Sequence, residues 1–415
     1  MKSPGGIEGK LFVVYFLEGY IGVAPTVVGL IRELTAVGHQ VHVRALPSDY
    51  ASAVDLPASC RVEIISRLKE HRRGARIYSC LRSVKLVTLV PFVELAWFSI
   101  QCWLADLRMA RELRRLRRVD IGIDPRGSIL AWGRALLGRS KYICLSLELT
   151  SPALYRRFER LVFWLEGKAL KHAAAIVIQD EDRLRSLARY HSPLASRVYF
   201  LPNSTGSGGG GAGIPSRENY LRSRLNIDPA EFPFIALHAG MIQDEVYAQE
   251  LAKAFGQLNT GFALVFHDRI KRSVEEPYIR LLQDHNSTNL FLSLDPVPFD
   301  QVDAIFASAT VGLVFYRPVN DNFAEMSLAS GKLSFYLKHG VPVVMNSLPA
   351  LAALNQRYQF GALVKDPGSP AELREALGAI MARYEFHSSN ARRCFREEFN
   401  FDEKFAPIRA FLESL

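Results

Sequence analysis

Twice along its length this chain runs through the same pattern: a short apolar stretch, a loop with glycine, an amphipathic helix, and another apolar stretch. In the first half these are Leu11–Phe16, a loop with Gly19, Gly22 and Pro25, a helix around Thr26–Val37 ending at Gly38, and Gln40–Ala45. In the second half they are Phe234–His238, a loop at Gly240, a helix around Val246–Leu258, and Ala263–His267. A first strand that does not alternate between apolar and polar residues is one buried on both faces. The pattern therefore predicts parallel strands covered by helices. Further strands are expected at Arg61–Ile65, Val119–Ile123, Tyr142–Leu147, Ala174–Ile178 and Val198–Leu201, then at Leu290–Leu292, Val311–Phe315 and Val341–Met345. Helices are expected at Leu154–His172, at Pro370–Tyr384 and over the last 25 residues. The expected fold class is α/β, with two doubly wound domains facing across a cleft and ligands at the carboxyl ends of the strands.

Composition supports a chain that buries a proper core. Of its 415 residues 49% are hydrophobic and 22% charged, which excludes global disorder and collagen-like or mucin-like chains. The five cysteines (Cys60, Cys80, Cys102, Cys144, Cys394) are scattered, odd in number and never spaced C-x-x-C. That argues against a disulfide framework or zinc site and for a reducing compartment. The opening MKSPGGIEGKLFVVYF has too short an apolar run for a secretory signal, so a cytoplasmic protein is expected. Residues 204–216, STGSGGGGAGIPS, read as a flexible linker or loop. The expected domains are 1–203 and 217–390, with a final helical segment at 391–415.

The charge is localised. The net charge is +9, and residues 61–118 alone hold 14 Lys/Arg against 5 acids, so the rest of the chain sums to neutrality. Within that stretch Leu86 to Ala105 is apolar but interrupted by Pro91, Glu94 and Gln101, which argues against a spanning helix. The flanking arginines suit peripheral contact of residues 67–118 with an anionic membrane surface, and equally a core helix followed by a solvated basic one. No recognition motif for nucleic acid accompanies the patch, so nucleic acid is not expected as a partner.

The segment Ser330-Gly-Lys-Leu-Ser-Phe-Tyr-Leu-Lys-His-Gly-Val-Pro-Val-Val344 resembles the donor-site helix and following strand of GT-B glycosyltransferases, the family 4 group in particular. Ser146-Leu-Glu-Leu149 and Ile176-Val-Ile-Gln-Asp-Glu-Asp-Arg183, followed by Leu201-Pro-Asn203, fit the same resemblance. It implies two Rossmann-like domains, a nucleotide-diphosphate sugar held mainly by the C-terminal one, an acceptor on the N-terminal one, a last helix crossing back to the N-terminal domain, and no cofactor or required metal. The physics of the motif stands beside the name. Ser330 and Gly331 open a helix whose free backbone N–H groups can meet a diphosphate, and Lys332 adds a point charge where the leaving group gains negative charge.

Further donor candidates are Gly240, which permits close backbone approach, Arg269 and Lys271 after the next strand, and Val297 in the Leu294–Pro298 loop. Met241, Asp244 and Glu245 stand where relatives place an Arg and a Lys toward the diphosphate. Ser327 and Phe335 stand where they carry two glutamates; Asn322 or Glu325 would then substitute. On the acceptor side the candidates are Gly22, Asp124 and Glu148, the last able to orient a hydroxyl or act as base. Asp180-Glu-Asp182 mimics a metal-binding D-x-D but suits a helix cap. The expectation is a retaining, metal-independent glycosyltransferase with a lipid-linked or membrane-adjacent glycan acceptor. The alternatives are a non-catalytic homologue acting as a binding subunit and a sugar-nucleotide epimerase.

Overall fold

The computed structural model describes residues 9–47, 54–83, 89–109, 111–138, 140–152, 159–206, 220–258, 260–284 and 287–415. Most of the 204–216 segment, the start of the Leu154–His172 pattern and residues 86–88 of the apolar run lie outside these residues. The chain forms two compact units: the first takes in the chain up to Asp49, Leu56–Leu201 and Glu403–Leu415, the second Tyr50–Asp55 and Pro202–Asp402.

The first unit is built on a seven-stranded parallel sheet of order β3-β2-β1-β4-β5-β6-β7. Its strands are β1 Leu11–Phe16, β2 Gln40–Ala45, β3 Cys60–Ile64, β4 Arg118–Ile123, β5 Lys141–Leu145, β6 Ile176–Ile178 and β7 Val198–Phe200. Every residue of β1 is buried, as its unbroken apolar run requires. Strand order reverses between β1 and β4, which opens a crevice at their carboxyl ends. The helix Asp124–Gly138 packs against that point with no room to spare. A Cβ on Gly127 would lie 2.2 Å from the Tyr15 carbonyl oxygen, and one on Gly122 would lie 2.5 Å from the Ser128 Cα.

A buried ion network runs along this sheet. Arg44, 1% exposed, pairs with Glu63 at 2.7 Å and Asp106 at 3.1 Å. Arg118 reaches Asp106 at 2.9 Å, Asp120 at 2.8 Å and the Tyr15 hydroxyl at 2.7 Å. Removing one member of such a network strands its partner's charge, at a cost of about 3–5 kcal/mol. Asp106 lies in the last turn of the helix Val90–Arg108, which buries Phe98, Cys102 and Ala105. On its other side Ile100, Trp103, Leu104 and Leu107 fall at i, i+3, i+4 and i+7 and remain 38–52% exposed, an apolar stripe left open on one face. No helix among the described residues is long and apolar enough to cross a membrane.

The second unit carries a six-stranded parallel sheet of order β10-β9-β8-β11-β12-β13. Its strands are β8 Phe234–Ala239, β9 Phe262–His267, β10 Leu290–Ser293, β11 Val311–Val314, β12 Val343–Asn346 and β13 Gly361–Val364. Every strand expected from sequence is present, displaced by no more than two residues at either end. β13 was not anticipated. It is a four-residue edge strand in which Leu363 is 38% exposed, too short to show a period. Gly361 suits it because a Cβ there would lie 2.0 Å from the Val343 carbonyl oxygen.

Candidate functional site

In the second unit the site grows from the carboxyl end of β8. Gly240 follows that strand at φ +134°, a conformation that side chains resist. The space there is ordinary: a Cβ would sit 3.6 Å from Lys332 Cε. The helix Gly331–Lys338 faces this glycine. Its cap, Ser330, is 1% exposed; its Oγ accepts from the Leu333 N–H at 3.2 Å and shares a 2.6 Å hydrogen bond with the Tyr316 hydroxyl. In an α-helix the N–H groups of the first turn have no intrahelical acceptor, so those of Gly331 and Lys332 are available to an anion.

Two tyrosines set this helix in place. Tyr336 donates its hydroxyl to the Leu237 carbonyl at 2.6 Å and accepts from the Ala239 N–H at 3.2 Å, tying the helix to the end of β8. Gly312 in β11 leaves room for that ring, since a Cβ there would lie 2.6 Å from it. Tyr316, after β11, lies under Lys332, whose Nζ is 4.8 Å from the ring centroid. Burial, with the charge of Arg269 adding to it, pushes the Lys332 ammonium down to about 7. Some of the Lys332 surface remains open. His238, fully buried in β8, is held neutral by burial and by the Lys332 charge.

The other donor-side candidates fall at varied distances from this centre. Arg269 is exposed and close enough for Lys332 to feel its charge. Lys271, 77% exposed, pairs with Asp295 at 3.7 Å. It is Arg272, not singled out in the sequence, that braces the loops, through Glu276 at 2.6 Å, Asp268 at 3.2 Å and the Ile242 carbonyl at 3.1 Å. Val297 is buried. Asn322 lies in the short helix Asp321–Ala324, and Glu325 follows it, half-buried. Phe335 is core, stacked on Phe306 with centroids 4.8 Å apart. Asp244 pairs with Arg317 at 3.4 Å, and Arg317 also reaches Glu250 at 2.6 Å and covers the Tyr247 ring.

In the first unit three carboxylates gather at the crevice between β1 and β4: Glu18 after β1, Asp124 after β4 and Glu148 after β5. Asp124, 5% exposed at φ +57°, accepts from the N–H groups of Leu147 at 2.7 Å and Glu148 at 2.9 Å. Burial raises its carboxyl well above the usual range, with the charges of Glu18 and Glu148 adding to the effect. Glu18 keeps 21% of its side chain open, accepts from the Arg126 N–H at 3.3 Å and faces its guanidinium at 3.6 Å. Desolvation pushes the Glu18 carboxyl up to about 7; Arg126 pulls it down, and Glu166 and Glu148 push it up. Gly22 sits in the turn Ile21–Val23, four residues after Glu18. Of the first-unit group the sequence singles out Asp124 and Glu148 but not Glu18 or Arg126; in the second unit it does not single out Tyr316, His238 or Asn346, the residue that ends β12. All of these except Arg126 and His238 stand at or just after the end of a strand, the signal that was available. Asp180 caps the helix Glu181–Tyr190 by accepting from the Arg183 N–H at 2.9 Å. Among the described residues no three His, Cys, Asp or Glu side chains converge to hold a metal ion.

No family profile matches the chain, and no curated protein does either. Solved structures do. A sucrose-phosphate synthase from Thermosynechococcus elongatus aligns with TM-score 0.68 at 14% identity, covering 98% of each chain. HepE from Anabaena, solved in complex with UDP, aligns at 0.64 and 13%, covering 97% of this chain and 100% of that one. WaaG, a glycosyltransferase involved in lipopolysaccharide biosynthesis, aligns at 0.62 and 13%, covering 96% and 98%. At such identities the likeness speaks for architecture, and it agrees with the two parallel sheets: this chain has the fold of the GT-B glycosyltransferases.

Proposed function

We propose that the protein is a glycosyltransferase that takes its sugar from a nucleotide-diphosphate donor bound by the second unit. The observation that carries this reading is the meeting of three features at one point: the N-terminus of the helix Gly331–Lys338, the Lys332 ammonium, and the backbone left bare at Gly240. Bond cleavage leaves a nucleoside diphosphate with one more negative charge. Preorganised N–H groups and a lysine in a poorly solvated place stabilise that charge more than the ground state. They also supply the positive potential that a metal ion would otherwise bring, so transfer should survive a chelator. HepE structures with UDP and UDP-glucose make a uridine donor the first to try.

The acceptor hydroxyl belongs, in this reading, with the carboxylates of the first unit. Glu148 is the base or orienting group, and beside it stand Glu18 and Asp124, whose carboxyls burial biases toward the protonated form. The acceptor is a lipid-linked or membrane-adjacent glycan. What supports this is the open stripe Ile100, Trp103, Leu104, Leu107 followed by the arginine-rich segment up to Arg118. Retention of anomeric configuration is the expected outcome, with the diphosphate leaving from the face that the acceptor attacks.

The test is a thermal-shift panel of UDP-, GDP-, ADP- and dTDP-sugars with Lys332→Ala beside the wild type. Stabilisation by one nucleotide, lost in the variant, supports the reading; silence across the panel in a folded protein overturns it. A second reading, a nucleotide-binding subunit without transfer, is favoured by Phe335, whose place in the core rules it out as a ribose-binding side chain. Donor hydrolysis or transfer that depends on Lys332 decides between them.

A further inference from the structure

At the amino ends of β1, β4 and β5, the opposite end of the sheet from Glu18, Asp124 and Glu148, the first unit holds a cavity of about 450 Å³. Its wall carries Arg114, Arg117, Arg118, Arg134 and Lys141. Against these five cations the lining sets one acidic side chain, Asp106. Asp106 is already shared among Arg44, Arg118 and Arg134, the last at 3.0 Å. Arg117 and Lys141 have no ion pair among the described residues and are exposed. The cavity therefore keeps a positive charge that nothing among the described residues answers.

A second cavity of about 370 Å³ adjoins it, the two sharing Ser140 and Lys141. This one is lined chiefly by Trp132, stacked on His172 with centroids 6.5 Å apart, and by Ala135 and Leu136. Leu136 and Leu137, at the end of the helix Asp124–Gly138, are 69% and 84% exposed. A cationic chamber joined to an apolar one, with the bare Leu136 in the lining of the second, matches an amphiphile: a phosphate-bearing head beside the start of a hydrocarbon chain. A soluble phosphate ester would use the first chamber and leave the second idle.

We propose that these joined cavities bind the headgroup of an anionic phospholipid while the protein lies against a membrane. The proposal rests on the membrane reading of the first unit given above and adds a defined lipid site to it. It involves Arg134, Lys141 and Trp132, which lie outside the basic 61–118 segment.

The experiment is sedimentation with vesicles of phosphatidylcholine alone or with about one third phosphatidylglycerol, at fixed salt. Four proteins are compared: wild type, Arg117→Glu with Lys141→Glu, a charge-matched control Arg72→Glu with Arg73→Glu, and Trp103→Ser with Leu107→Ser. Wild type should bind the anionic vesicles. The cavity variant should bind at least tenfold more weakly, and the control no more than about threefold more weakly. Both charge variants should keep the wild-type melting temperature and the wild-type response to nucleotide.

Equal losses in the two charge variants would mean diffuse attraction and overturn the site. Full binding by the cavity variant would do the same. If the stripe variant alone loses binding, the membrane reading survives and the lipid site falls. If wild type ignores both kinds of vesicle, both fall, while the donor reading is judged separately by the nucleotide response. Calorimetric binding of glycerol phosphate without vesicle binding would make the cavity a soluble-phosphate site and overturn the proposal.

Discussion

Asn346 holds Tyr316 by both of its backbone groups: its Oδ1 accepts from the Tyr316 N–H at 3.1 Å and its Nδ2 donates to the Tyr316 carbonyl at 2.8 Å. The clamp joins the end of β12 to the end of β11 and fixes the ring that lies beneath Lys332. Asn346 is 6% exposed, so removing its amide deletes two hydrogen bonds in a buried place. Asn346→Ala should therefore lower the unfolding free energy by about 2–3 kcal/mol and weaken nucleotide binding beyond what the loss of stability explains. Urea denaturation and calorimetric titration with UDP measure the two effects.

Lys332 makes donor binding sensitive to pH near neutrality. With its ammonium at about 7 in the free protein, the group is mostly charged at pH 6 and mostly neutral at pH 8. A bound diphosphate favours the charged form, so binding takes up a proton above pH 7. The dissociation constant for UDP should rise about three- to tenfold from pH 7 to pH 8. Lys332→Ala should flatten that dependence. Titrations in two buffers of different ionisation enthalpy would report the proton uptake directly.

The same lysine bears on stability with a definite sign. Its folded value lies below that of a free lysine, so between about 7 and 10.5 the unfolded chain binds more protons than the folded one. Its contribution to stability must then rise with pH across that window. Lys332→Met should raise the melting temperature at pH 7 and lose that advantage at pH 10, as scanning calorimetry at the two pH values would show.

Glu18 behaves in the opposite sense. Its carboxyl is raised from 4.5 to about 7, so the folded protein holds a proton that the unfolded chain has lost, and stability falls as pH climbs from 4.5 to 7. Glu18→Gln should be more stable than wild type at pH 8, the difference shrinking toward pH 5. Melting curves across pH 5–8 test this, and a flat difference would assign Glu18 to its contact with Arg126 instead.

Gly127→Ala is the steric counterpart. The added carbon would meet the Tyr15 carbonyl oxygen at 2.2 Å, backbone against backbone, where neither side can swing away. Helix Asp124–Gly138 would have to lift from β1, at about 2–3 kcal/mol. Denaturant unfolding should show the loss, and the Asp124 contacts to Leu147 and Glu148 should loosen with it.

What was legible in the sequence was local. Ser330, Gly331 and Lys332 are consecutive, so a cap, a bare backbone and a cation could be read together, and the apolar runs at Leu11–Phe16 and Phe234–Ala239 named their own strands. What escaped depends on residues distant in the chain. Asn346 meets Tyr316 across 30 positions, and Glu18 meets Arg126 across 108. The lowered Lys332 ammonium arises from burial, which no spacing records. β13 escaped because four residues on a sheet edge show no period.

The placement of Glu403–Leu415 in the first unit has a consequence for synthesis. The ribosome delivers the last strand of that unit, β7, and then about 200 more residues before the helix that completes it, a delay of roughly 10–40 s at ordinary elongation rates. Lys10 must wait for the Leu412 carbonyl that its ammonium meets at 3.3 Å, and Glu33 for the Arg409 guanidinium at 2.7 Å. Until then the surface that Phe411 covers beside Tyr199 is open. The unit made first is thus finished last.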